Sequence, residues 1–81
     1  MTSPHLTALE LAGQGDWNGA HQLIQDFDDN LACMIHGYLH RVEGDTGNAA
    51  YWYHRAGETL PVNSLPEEYE RLLAIAIKRH Y

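Results

Sequence analysis

Residues Gly44–Ala49 read GDTGNA, and 29 positions earlier Gly15–Ala20 read GDWNGA. In each stretch a glycine suited to the left-handed conformation ends one helix, and the aspartate that follows caps the next. The same offset carries Ala8 to Gly37, Ala20 to Ala49, Leu23 to Trp52 and Ile24 to Tyr53. The unit is therefore helix, two-residue turn, helix, written twice. Small residues on both helices suit this geometry, because antiparallel helices joined by so short a turn must approach closely.

Working outward from the two turns, helix signals cover most of the chain and strand signals are absent. Ser3-Pro4 reads as an N-cap with proline in the first turn, opening a helix over Pro4–Gln14. Asp16 caps a helix over Trp17–Phe27, with Ala20, Leu23, Ile24 and Phe27 at helical spacing. Leu31–Glu43 follows, then Asn48–Ala56, closed by Gly57. Thr59–Leu65, with Pro61 and Asn63, reads as a loop. Ser64-x-x-Glu67 is a capping box around Pro66, and a last helix runs from Pro66 to about His80 with Tyr69, Leu72, Leu73 and Ala76 on one face. The expected fold is all-α with five helices: two antiparallel hairpins and a C-terminal capping helix in one domain, residues 1–81. Its expected parts are a degenerate first hairpin over 3–28, a second over 30–61 and the cap over 65–81.

The second hairpin resembles a tetratricopeptide repeat. The matching residues are Gly37 in its first helix, Gly44-Asp45 at the turn, Ala49, Tyr53 and Ala56 in its second helix, and Pro61 beyond it. Ala8, Gly15-Asp16, Ala20 and Ile24 make the first hairpin resemble a shortened copy. This resemblance implies a protein-interaction module. The chain departs from the repeat's pattern at Cys33, His36 and His40, where large apolar residues are usual. The stretch HGYLHRVEGDTGNAAYWYHRAG, His36–Gly57, is also similar to a motif of small bacterial proteins, a likeness that implies no activity.

Charge narrows the function classes. Five basic residues against 11 acidic ones give a net charge of −6. All five basic residues lie from Arg41 onward, while four of the six histidines fall before it. No basic stripe is available to neutralise phosphates, so nucleic acid is not an expected partner. No apolar run approaches the roughly 18 residues that span a bilayer, so a membrane is not expected either. The first residues lack the features of a secretory signal. The single cysteine, Cys33, permits no internal disulfide, and together these point to the cytoplasm.

Two groups of candidate residues stand out. The first is a contact surface for a protein partner or a second copy, formed by Tyr38, Arg41, Tyr51, Trp52 and Arg55, residue types that interfaces favour. Packing of the aromatic run Tyr51-Trp52-Tyr53 beneath the last helix is the plainer alternative. The second is a ligand or divalent-metal site, zinc by type, on His21, His36 and His40. His36 and His40 lie four apart on one helix face, His21 lies on the preceding helix, and Asp26 and Asp28 are nearby in sequence. Buried histidines are more commonly satisfied by hydroxyls, carboxylates or backbone carbonyls. The acidic cluster Asp26, Asp28 and Asp29 reads as a linker in which Asp29 caps a helix, or as a landing site for a basic partner. No enzyme motif is complete. Gly13-Gln14-Gly15 lacks the lysine and further glycines of a phosphate loop, and Cys33 near His36 and His40 reads as a small inert hydrophobe.

Overall fold

A computed structural model describes residues 3–80; the first two positions and the last position of the expected domain lie outside the described residues. The described chain is all-helical, with five α-helices: α1 Pro4–Gly13, α2 Trp17–Ile24, α3 Asn30–Val42, α4 Thr46–Arg55 and α5 Leu65–His80. No described helix is long and apolar enough to cross a membrane.

The two Gly-Asp turns have one geometry. Gly15 and Gly44 have φ of 82° and 83°. Asp16 and Asp45 then cap α2 and α4 at φ/ψ of −90°/74° and −92°/78°, accepting from the amides of Gly19 and Asn48. The Asp16 amide donates to the Leu11 carbonyl at 2.9 Å, and the Asp45 amide to the His40 carbonyl at 2.8 Å. Both turns thus satisfy carbonyls that a helix end leaves unpaired. Ser3 caps α1 with proline behind it, Asp29 caps α3, and the capping box before α5 forms in both directions between Ser64 and Glu67.

Two helix boundaries differ from those expected by more than one residue. α2 stops at Ile24 rather than Phe27: Ile24 is its last buried residue, Phe27 is exposed, and the chain must turn there for Asp29 to cap α3. α4 begins at Thr46 rather than Asn48, because the Asp45 cap already organises the first turn through the Asn48 amide.

α3 is the central element. It packs against each of the other four helices, and every residue from Leu31 to His40 is buried. A helix buried on all sides needs apolar or small residues all round, which Leu31, Ala32, Cys33, Met34, Ile35, Gly37 and Leu39 supply. α1 pairs with α2 and α3 with α4, and α5 lies across α1 and α3. Leu9, Ile24, Leu31, Ile35, Leu39, Tyr53 and Leu72 fill the core.

A buried carboxylate, Glu68, fixes α5 and the preceding loop. It accepts from the Tyr53 hydroxyl at 2.6 Å, from the Asn63 amide at 2.9 Å and from two nitrogens of Arg71 at 2.8 and 2.9 Å. Burial works against its charge, but these donors outweigh burial and hold its carboxyl below the ordinary range. Arg71 also reaches Glu58, and Arg41 donates to Asn63, so the loop is tied at both ends.

Candidate metal centre

Three helices bring aromatic and imidazole rings to one place. α2 supplies Trp17 and, one turn later, His21; their rings stack at 4.8 Å with 10° between planes. α3 supplies His36 and His40, again one turn apart, at 5.1 Å and 23°. α4 supplies Trp52, which lies flat on His36 at 3.8 Å and 12°. His21 meets His36 edge-on at 4.7 Å and His40 edge-on at 5.3 Å. The Trp17 indole N–H donates to the Leu39 carbonyl at 2.6 Å, which pins the start of α2 to α3 and carries His21 with it.

Each of the three histidines offers one ring nitrogen within 4.8 Å of the other two. The Nε2 atoms of His21 and His36 lie 3.0 Å apart. One nitrogen must donate and the other accept, so the pair shares a proton and at least one ring is neutral. His40 is arranged differently. Its Nδ1 is 2.6 Å from the Glu43 carboxylate. A carboxylate only accepts, so Nδ1 carries the proton and Nε2 is the ring nitrogen left to ligate a metal.

His36 and His40 are buried, and His21 is half-buried. Burial, reinforced by His21, His40 and the Arg55 guanidinium, lowers His36 to about 4. Burial and His40 also lower His21, against an opposing pull from Glu43. Neutral imidazole is the form that binds a metal. The Nδ1 atom of His36 is buried with no hydrogen-bond partner. The imidazole hydrogen bonds of this cluster are therefore one to a carboxylate and one shared between His21 and His36, and His36 Nδ1 is left unpaired.

The predicted triad His21, His36 and His40 is thus assembled. The carboxylate beside it is Glu43, not Asp26 or Asp28, both of which are exposed. Helical spacing is the signal that finds both partners: Glu43 stands three after His40, at the C-cap of α3, and Trp17 four before His21. His40, Glu43 and Asp45 form a second, overlapping group of possible ligands, although Asp45 is engaged in capping α4.

The predicted contact residues separate. Tyr51 is 54% exposed, with Trp52 edge-on at 5.2 Å and the Arg55 guanidinium 6.0 Å from its ring centroid and 4.9 Å from that of Trp52. Trp52 stacks on His36 rather than packing beneath α5. Tyr38 is buried against Tyr69, and Arg41 is half-buried on Asn63. Cys33 is buried and its thiol faces the Asp28 carbonyl at 3.6 Å; burial pushes the thiol up, as suits an inert core residue.

No protein-family model, curated protein or solved structure matches this chain.

Proposed function

We propose that this protein binds a divalent transition metal, zinc by type, through His21, His36 and His40. The observation that carries the reading is the convergence of three imidazole nitrogens within 4.8 Å of one another. At Zn–N distances of about 2.0–2.1 Å, two ligands of a tetrahedral ion sit roughly 3.3–3.4 Å apart. The His21–His36 pair, at 3.0 Å, reaches that spacing if it opens by about 0.3 Å. The metal then takes the place of the shared proton.

The Glu43 contact to His40 supports the same reading. A carboxylate on the far ring nitrogen fixes tautomer and orientation and raises the basicity of the ligating nitrogen. An all-imidazole donor set suits zinc, copper or nickel rather than magnesium or calcium. Elemental analysis and calorimetry of the untagged chain are expected to give one zinc per chain. His21→Gln is expected to abolish stoichiometric uptake while keeping the helical content, because His21 is only half-buried. A chain that takes up no zinc, and melts at the same temperature with zinc and with chelator, overturns the proposal.

A second reading, a tetratricopeptide-like module that docks a protein or a second copy, is favoured by one observation. Tyr51 is more than half exposed beside Trp52 and Arg55 on a single helix face. Sedimentation analysis tests the self-association form: it expects a mass above 9.2 kDa that falls in Tyr51→Ala. A monomer at all concentrations overturns that form.

A further inference from the structure

We infer that the metal held by His21, His36 and His40 keeps one exchangeable position and accepts a small anion there, with Arg55, held over the Trp52 ring that covers His36, as the neighbouring cation. The inference rests on the metal reading above and adds the chemistry of its fourth ligand.

The protein supplies too few donors to close the site. Among the described residues no fourth histidine, cysteine, aspartate or glutamate joins the triad within the same reach. Glu43 groups with His40 and Asp45 instead, and its carboxylate is engaged on His40 Nδ1, the nitrogen that carries the proton. Cys33 is turned to the Asp28 carbonyl. Structural zinc sites are closed by four protein ligands, whereas three protein ligands leave a position for water or substrate.

Charge decides what fills that position. Three neutral imidazoles bring no negative charge to the ion directly; the one carboxylate beside them, Glu43, acts through His40. The guanidinium of Arg55 lies 4.9 Å from the Trp52 ring centroid, and that ring lies flat on His36 at 3.8 Å. Arg55 makes no salt bridge among the described residues. A cation held near a dication favours an anion over a neutral donor. Entry is open, because His21, Trp17 and Trp52 are only half-buried.

The full chain loaded with Co²⁺ tests this, since the visible absorption of cobalt reports its ligands. Azide is the probe. The expected result is a saturable spectral change at one azide per cobalt, weakened about fivefold in Arg55→Gln when that variant is also loaded to one cobalt per chain. A pH-dependent change in the absence of azide, from ionisation of a bound water, is also expected. Cobalt bound with a spectrum indifferent to azide and to pH means a closed site and overturns this inference alone. A chain that takes up no cobalt overturns the metal reading and this inference together. Equal azide affinity in Arg55→Gln overturns the part assigned to Arg55.

Discussion

Adding a single methyl group at Gly37 tests the central packing of the fold, because helix propensity and steric contact predict opposite signs. A Cβ at Gly37 would sit 2.6 and 2.8 Å from ring carbons of Tyr53 and 3.1 Å from the Ala49 carbonyl oxygen. Ordinary carbon contacts lie at about 3.5–4.0 Å, so the ring must move by about 1 Å or α3 and α4 must part. Tyr53 has no free space to yield, being fully buried with its hydroxyl on the equally buried Glu68 at 2.6 Å. Overpacking of this kind costs about 1–3 kcal/mol. Stretching a hydrogen bond to a buried charge adds about 1.5–3 kcal/mol. Replacing a mid-helix glycine by alanine returns about 1 kcal/mol. The net expectation for Gly37→Ala is a loss of about 1.5–5 kcal/mol, a large fraction of the stability of a small domain. Urea unfolding followed by far-ultraviolet circular dichroism measures it. Gly47→Ala is the control: nothing lies within 4 Å of its Cβ, so it should gain up to about 1 kcal/mol. Gly37→Ala as stable as the parent, or more stable, would refute the close approach of α3 and α4.

Two further outcomes follow from the charged groups. His36 falls from 6.5 to about 4 on folding, so the unfolded chain takes up the proton first as pH drops; the associated stability is present above pH 6.5 and is lost as pH falls toward 4. Linkage puts the loss between pH 7 and pH 5.5 at about 1 kcal/mol for His36, measurable by urea unfolding in chelator, and an equally steep loss in His36→Phe would exclude His36 as its source. Asp29 caps α3 at the Ala32 amide and also receives His5 and Arg79, so Asp29→Ala should cost about 1–2 kcal/mol and Asp29→Asn less; equal melting temperatures for Asp29→Ala and the parent would contradict that role.

Local signals made most of the fold legible. The two Gly-Asp turns, the serine and aspartate caps and the Ser64–Glu67 box each depend on residues within one turn of one another, and each is present. His36 and His40 were legible for the same reason, as neighbours on one helix face. Proximity in the chain to His21 points to Asp26 and Asp28, whereas helical spacing from His40 points to Glu43, and it is the spacing that the structure follows. The fate of Tyr38 was not legible. Its burial depends on α5, which arrives after a loop, and no local pattern says which face of α3 that helix covers. Glu68 was hidden similarly: it reads as one of two acids in a helical first turn, and only Tyr53, Asn63 and Arg71, drawn in from separate segments, make it a core residue.

Both tryptophans of the chain lie against the same three histidines, Trp17 stacked on His21 and Trp52 on His36. The intrinsic fluorescence of this protein is therefore a local signal. Protonated imidazole quenches indole, so emission should respond as His21 and His36 take up protons even while all five helices stay formed. An unfolding midpoint read from emission reports the meeting of α2, α3 and α4, whereas helical ellipticity averages over the whole chain. A gap between the two midpoints would mark partial opening at this cluster ahead of global unfolding.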